Sequence, residues 1–267
     1  MTSNLQTIKQ LEKIIRQAAD AELLPRFRKI EHALKSDDSI VTEADYAMQH
    51  KLTAELKLSW PEIPLLGEEM TQAEQEYLMN QNQSKLWILD PLDGTRNFAA
   101  GIPCFAVSLA LLVNGTVKLG IIYDPIRQES FSAIADHGAW LNGKSLNQRN
   151  NKLPLSQCIA QIDFKRLPKE MAARIASTPP YASQRSFGSG ALDWCWVAAG
   201  RVHLYLHGSQ KLWDYSAGQL ILREAGGQCC TLENEMVFQG KLASRSVIAT
   251  LDPRHFEQWQ SYIFEIK

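Results

Sequence analysis

Asn114-Gly115 separates two β-rich apolar runs, CFAVSLALLV (104–113) and TVKLGIIYD (116–124), and restricts the fold more than any other pair in the chain. Asn-Gly favours the left-handed backbone of a two-residue hairpin turn, so the flanking runs should pair antiparallel. A third run, QESFSAIA (128–135), follows Asp124-Pro125. Residues from Ile88 to Ala135 therefore read as an antiparallel meander. After GAWLNGKSL (138–146) the pattern changes. Short strands at 159–164, 184–187, 202–206, 228–232 and 246–250 alternate with helical stretches around 168–177, 190–200, 214–225 and 252–264. That alternation points to a more α/β second half.

The polar stretch NQRNNK (147–152) marks a boundary near 146–155, giving an N-terminal α+β domain over 1–147 and a C-terminal α/β domain over 148–267. Two units agree with about 150 residues per domain. Upstream of the meander, Leu5, Ile8, Leu11, Ile15 and Ala18 recur at helical spacing and predict a helix over about 4–24, ending before Pro25. A second helix should start near Thr42, carry Met48, Leu52 and Leu56 inward, and close at Trp60-Pro61. Between them Lys35 to Ser39 reads as an exposed loop.

A net charge of −1 gives no general electrostatic reason to bind nucleic acid or an anionic membrane. No stretch approaches the roughly 18 apolar residues of a membrane span, and the charged N-terminus has no secretory core. The five cysteines are odd in number and lack C-x-x-C spacing, so a reducing cytoplasm is expected, with neither a disulfide framework nor a zinc site.

The chemistry concentrates in WILDPLDGTRNF (87–98), where Asp90 and Asp93 stand three apart around Pro91. Other acids also end apolar segments: Glu68 and Glu69 after PLLG, Asp214 after KLW, and Asp45 in VTEAD. Any one of them alone is ordinarily a cap or turn residue. As a set they say more. Like charges a few ångströms apart raise a pKa strongly or demand a cation. A hard divalent cation suits carboxylates, a hydroxyl and a backbone carbonyl, and Mg²⁺ is readily completed by phosphate. A short helix starting at Thr95 would turn its first N–H groups toward an anion, and Gly94 would remove the side chain blocking close approach. These parts are what a metal-assisted phosphoryl hydrolase requires.

In these motifs the chain resembles the inositol monophosphatase family, within the lithium-sensitive Mg²⁺-dependent phosphatases. The likeness runs in order through VTEAD (41–45), GEE (67–69), WILDPLDGTRNF (87–98), YDP (123–125), GAWLNG (138–143), RSFGSGALDWCWVAAGR (185–201) and WDYSAGQLILREAGG (213–227). It implies an α+β fold, a layered α-β-α-β-α sandwich of the inositol monophosphatase and fructose-1,6-bisphosphatase type. It also implies two to three Mg²⁺ ions. Glu68, Asp90, the Leu92 carbonyl and Thr95 would hold the first, Asp90, Asp93 and Asp214 the second, and Glu68 would touch a third. Glu68, Thr95 and Asp45 would be catalytic, orienting a metal-activated water without a phosphoenzyme. Gly94 and Thr95 would bind phosphate. Asp93, Gly188, Ser189, Gly190, His207 and Asp214 would meet the substrate.

The chain departs from the pattern where the family recognises inositol. Gly190 replaces the usual Ala, His207 stands in place of a Glu that accepts ring hydroxyls, and His203 replaces a nearby Asp. The two histidines, four apart on a strand and so on one face, would either bind a second anionic group of the substrate or be surface and loop residues. Trp194, Trp196 and Trp213 read as core. The implied activity is a phosphomonoesterase for a small phosphorylated polyol, with inositol monophosphate the default. Alternatives are a 3′-phosphoadenosine 5′-phosphate nucleotidase, a histidinol-phosphate phosphatase, a fructose-1,6-bisphosphatase, or a non-catalytic regulator or scaffold. A cytoplasmic, lithium-sensitive homodimer, acting without nucleic acid or membrane, completes the expectation.

Overall fold

The computed structural model describes residues 2–27, 32–34, 40–81, 83–146 and 153–265. The expected loop over 35–39 and the polar stretch 147–152 lie outside the described residues. The chain opens on α1 (Thr2–Glu22), β1 (His32–Leu34), β2 (Ile40–Thr42) and α2 (Glu43–Ser59). Next come β3 (Leu65–Gly67), α3 (Gln72–Asn80), β4 (Lys85–Asp93) and the short helix α4 (Thr95–Ala99). The strands β5 (Ala106–Val113), β6 (Thr116–Asp124), β7 (Glu129–Ile134), β8 (Gly138–Leu141) and β9 (Lys144–Leu146) follow. The second half runs β10 (Ile159–Asp163), α5 (Lys169–Ser177), β11 (Ser183–Arg185), α6 (Gly190–Ala198) and β12 (Leu204–Gln210). It ends with α7 (Leu212–Glu224), β13 (Gln228–Cys230), β14 (Arg245–Thr250) and α8 (Pro253–Glu265).

β3 to β9 form a seven-stranded sheet in chain order, antiparallel except where β3 lies parallel to β4. Asn114 (φ 50) and Gly115 (φ 71) both take the left-handed conformation that joins β5 to β6, as the hairpin signal requires. A five-stranded sheet has the order β11-β10-β12-β14-β13, with β10 parallel to both neighbours.

Period-two alternation sorts the side chains into layers. Trp87, Leu89, Val107, Leu109 and Ile121 pack on Leu11 and Ile15 of α1 and on Met48 and Leu52 of α2. Leu86, Ile88, Ala110, Ile122 and Phe131 point the other way, onto α6 and α7 through Trp194, Tyr215 and Leu220. Those central helices also meet Tyr205, Val247 and Ala249 of the second sheet. That sheet's outer face, Ala160, Ile162, Leu204, Leu206 and Ile248, is covered by Met171 and Ile175 of α5 and by Trp259 and Ile263 of α8. The order is α-β-α-β-α, the layered α+β sandwich that was expected.

Several short elements carry no clear period in the sequence, β1 and β2 among them. β3 has three residues, and α3 is held at its start by Thr71, whose N–H and hydroxyl reach Glu74 Oε2 at 2.8 and 2.7 Å. Trp194, Trp196 and Trp213 are buried, and all five cysteines are free thiols. No helix among the described residues is long and apolar enough to cross a membrane.

Candidate metal and phosphate site

Residues three apart on a regular strand face opposite sides, yet Asp90 and Asp93 face the same one. β4 pairs Asp90 with Ser108 and Asp93 with Ala106, so it advances three residues where β5 advances two. That bulge absorbs Pro91, which has no N–H to give the ladder, and restores both carboxylates to the face toward α6 and α7. Asp214 arrives from α7. One oxygen each of Asp90, Asp93 and Asp214 lies within 4.8 Å of the others, drawing together the end of the first sheet and the start of a central helix.

Each acid also does the local work expected of a lone Asp. Asp90 Oδ1 accepts the Leu92 N–H at 3.0 Å. Asp214 Oδ2 accepts the Lys211 N–H at 2.8 Å, capping α7. Asp45 Oδ2 accepts from the Thr42 N–H and hydroxyl at 2.7 and 2.6 Å, capping α2. Asp93 caps a helix from another part of the chain. Its Oδ2 accepts from the Ser189 hydroxyl and from the Ala191 N–H at 2.8 Å, and its Oδ1 from the Gly190 N–H at 3.2 Å. Capping and convergence are thus compatible uses of the same residues.

The expected partners assemble around this core. Glu68 N–H donates to Leu89 O at 3.0 Å, which extends the β3–β4 ladder by one step. That step brings the Glu68 charge close enough to raise the Asp90 carboxyl. Thr95 Oγ1 lies 2.9 Å from the Leu92 carbonyl and 3.0 Å from Asp45 Oδ1. Gly94 has φ +92, and a Cβ there would stand 2.9 Å from Cys104 O and 3.2 Å from Phe105 Cα. Backbone conformation and packing against that segment therefore already require glycine, before any ligand is considered.

Electrostatics follow from burial. Desolvation pushes the Asp90 carboxyl well above its ordinary value, and Glu68, Asp93 and Asp214 add to the rise. Asp214 is likewise raised by burial, Asp93 and Glu68, against the Lys211 amide and the Arg166 charge. Burial lifts Asp93 to about 6 even though Ser189 and Ala191 oppose it, and lifts Asp45 to about 6 against its bonds to Thr42 and Thr95. A pocket of oxygen donors that raise one another's pKa fits a hard divalent cation, which reverses the sign of the local field.

Several supporting residues had no signal in the sequence. Ser108, opposite Asp90 in the ladder, donates to the Trp213 carbonyl at 3.0 Å and so fixes α7 beside its neighbour Asp214. Asn97 Nδ2 bridges the Cys104 and Phe187 carbonyls at 2.8 and 2.7 Å, tying α4 to the loop before Gly188. Asn97→Ala should therefore lose about 1–2 kcal/mol of stability by urea titration. An unchanged midpoint would show that neither carbonyl depends on that amide.

The substrate-side residues are placed differently from one another. Gly188 (φ +75) packs on Asn97, and Ser189 and Gly190 spend their donors on Asp93. A Cβ at Gly190 would meet Gln210 Nε2 at 2.6 Å, and that amide bonds the Tyr205 hydroxyl at 2.8 Å while its oxygen accepts from Trp194 Nε1 at 3.0 Å. Glycine at this position therefore makes room for Gln210.

The two histidines have separate partners: His203 is a half-buried loop residue and His207 a buried strand residue. His203 precedes β12, its Nδ1 accepts the Ile159 N–H at 2.9 Å, and its ring centroid lies 6.3 Å from that of His255 in α8. His207 is buried within β12, with Nε2 3.2 Å from Asp163 Oδ2 and Nδ1 accepting the Ser209 N–H at 3.2 Å. His203 stands one residue before β12 and its N–H still reaches the Ile159 carbonyl at 2.9 Å, but its ring meets His255 of α8 whereas that of His207 meets Asp163 of β10.

The family model described as "Inositol monophosphatase family" matches residues 2–264. Among curated relatives, "Nus factor SuhB" of Pasteurella multocida is 37% identical over 205 residues, 75% of each chain. "Inositol monophosphatase 1" of Solanum lycopersicum is 35% identical over 230 residues, covering 81% of this chain and 84% of the relative. Among solved structures, an IMPase of Thermotoga maritima superposes with a TM-score of 0.81 at 28% identity, over 98% of both chains.

Proposed function

We propose, because the chain belongs to the inositol monophosphatase family, that it is a Mg²⁺-dependent phosphomonoesterase acting on a small phosphorylated polyol, with inositol monophosphate as the default substrate. The observation that carries this reading is the meeting of Asp90, Asp93 and Asp214 oxygens within 4.8 Å, from segments more than a hundred residues apart in sequence. Glu68, Asp90, the Leu92 carbonyl and Thr95 would hold one ion, and Asp90, Asp93 and Asp214 another, with a third at Glu68. Bound Mg²⁺ supplies positive charge at the phosphoryl oxygens and acidifies water near neutral pH.

The chain's own groups do the positioning. Asp45, 3.0 Å from Thr95 Oγ1, sets the direction of that hydroxyl and is raised to about 6, within reach of accepting a proton. The Gly94 and Thr95 amides are assigned to the phosphate. Because α4 spans only five residues, this is local hydrogen bonding with little help from a macrodipole. The two domains proposed, 1–147 and 148–267, would each carry one of the two large sheets, and the first also the β1–β2 pair. A cytoplasmic location, lithium sensitivity and a homodimer belong to the proposal on family likeness alone.

Relatives of 34–37% identity bear the name Nus factor SuhB rather than that of a phosphatase, which keeps a non-catalytic regulator as the second reading. The intact acidic set favours the enzyme. Phosphate release from inositol 1-phosphate, 3′-phosphoadenosine 5′-phosphate, fructose 1,6-bisphosphate and histidinol phosphate, with Mg²⁺ and with EDTA, separates them. At least one ester should be hydrolysed with Mg²⁺ and none in EDTA. Hydrolysis persisting in EDTA overturns the metal assignment, and none at all favours the regulator.

A further inference from the structure

We propose that Met70 is a reversible oxidation site whose sulfoxide loosens the turn presenting Glu68 and so weakens Mg²⁺ binding at the acidic centre. The inference rests on the assignment of Glu68 to Mg²⁺. It begins at the outer edge of the first sheet. β3 is the end strand, and it meets β4 through the Pro64 carbonyl and the Glu68 N–H. The Gly67 N–H between them points outward, where an edge strand has no ladder partner. Its acceptor is the Met70 thioether, with Sδ 3.2 Å from the nitrogen. The Met70 N–H returns to Gly67 O at 3.3 Å. Backbone and side chain of one residue thus close the turn that carries Glu68 and Glu69.

Other contacts on this turn run through nitrogen and oxygen. The Glu68 N–H donates to Leu89 O and the Glu69 N–H to Gln49 Oε1, both at 3.0 Å. Gln75 Nε2 donates to Gly67 O and Glu68 O at 3.0 and 3.1 Å. The sulfur contact is the one that oxidation changes. The Glu68 charge is felt at Asp90, Asp93, Asp214 and Asp45, so a shift of the turn reaches the carboxylates of the whole centre. Met70 is therefore a positioning residue that acts through Glu68.

Access distinguishes this sulfur from others. Met70 is half-buried and lines, with Leu65, Ala73 and Leu78, a cavity of about 350 Å³ whose rim carries the exposed Tyr77 and Glu74. Met48 and Met171 are buried. Burial also raises all five thiols above their ordinary value, which withholds the thiolate that peroxide attacks fastest.

The oxidant is a peroxide. The sulfur lone pair takes one peroxide oxygen, the O–O bond breaks, sulfur gives up two electrons, and the other oxygen leaves as water. A reductase reverses this, releasing the oxygen as water while two thiols join as a disulfide. A 3.2 Å gap has no room for an oxygen between sulfur and the Gly67 N–H, so the oxidised side chain must turn away. Gly67 then loses its acceptor.

The test treats the full chain with hydrogen peroxide, locates the added oxygen by peptide mass spectrometry, and titrates Mg²⁺ by the rise in Tm and by phosphate release. Met70 should gain oxygen ahead of Met48 and Met171. The Mg²⁺ concentration giving half the Tm rise should then increase roughly tenfold, the usual cost of losing an outer contact to a metal ligand. Methionine sulfoxide reductases should restore it. Met236→Leu, which removes an exposed methionine, should respond as the wild type does. Met70→Leu, whatever its own Mg²⁺ requirement, should be unmoved by peroxide. Resistance of Met70 to peroxide, an unchanged Mg²⁺ titration after its oxidation, or an equal response in Met70→Leu overturns the inference and leaves the phosphatase reading standing. The Tm titration needs no turnover, so it decides the inference even for a chain without activity. A chain with neither a Mg²⁺-induced rise in Tm nor hydrolysis of any ester rejects both.

Discussion

Asp90→Asn should reduce Mg²⁺-dependent phosphate release by at least about a thousandfold while the protein stays folded. Asp90 is buried, and among the described residues its side chain accepts one hydrogen bond, from the Leu92 N–H at 3.0 Å, a role the Asn carbonyl can keep. The lost charge is another matter. Burial and the neighbouring Glu68, Asp93 and Asp214 all raise the Asp90 carboxyl, so its anionic form is held only at the expense of stability. A neutral amide relieves that strain. In EDTA the variant should therefore melt at or above the wild-type temperature. With Mg²⁺ the order should reverse, because a ligand stabilises the folded state in proportion to its occupancy. Activity within tenfold of wild type, or an equal Mg²⁺-induced rise in Tm, would remove Asp90 from the metal centre.

Gly208→Ala should lose about 3 kcal/mol or more, read from the urea midpoint at constant slope. The added Cβ would lie 1.7 Å from Arg166 O and 2.4 Å from Arg166 C, so it meets backbone with no rotamer to give way. The turn over Phe164–Arg166 would have to lift from β12, breaking the Asp163–His207 contact at 3.2 Å as it moves. Gly190 offers the contrast. A Cβ there meets the end of the Gln210 side chain, which can shift at the expense of its bonds to Tyr205 and Trp194, whereas backbone cannot. A loss below about 1 kcal/mol for Gly208→Ala would show that the turn rides freely on the strand.

The layers were legible because their signals are local. Alternation in β4 to β7, the Asn114-Gly115 turn and the spacing in α1 and α2 each lie within a few residues of one another. The acidic set was legible for a different reason: Asp90, Asp93 and Asp214 close apolar segments, where a charge stands out. What stayed hidden depends on contacts between distant segments. Nothing near Asp93 announces that Ser189, Gly190 and Ala191 will donate to it, nor that Gly190 is small for the sake of Gln210. The Asp163–His207 pair required the parallel register of β10 on β12, which no hairpin dictates. The bulge at Pro91 was hidden too, although the proline within a strand pattern was its one available clue.

Asp93 and Asp90 differ in what they can offer an ion. A carboxylate offers about four lone-pair directions, and three of those on Asp93 already receive Ser189, Gly190 and Ala191. One direction remains for a cation. Asp90 gives a single direction to Leu92 and keeps the rest. Of the two acids, Asp90 would therefore have more lone pairs to give to the ions proposed for this centre, and the helix cap that Asp93 provides stands whether or not an ion is bound.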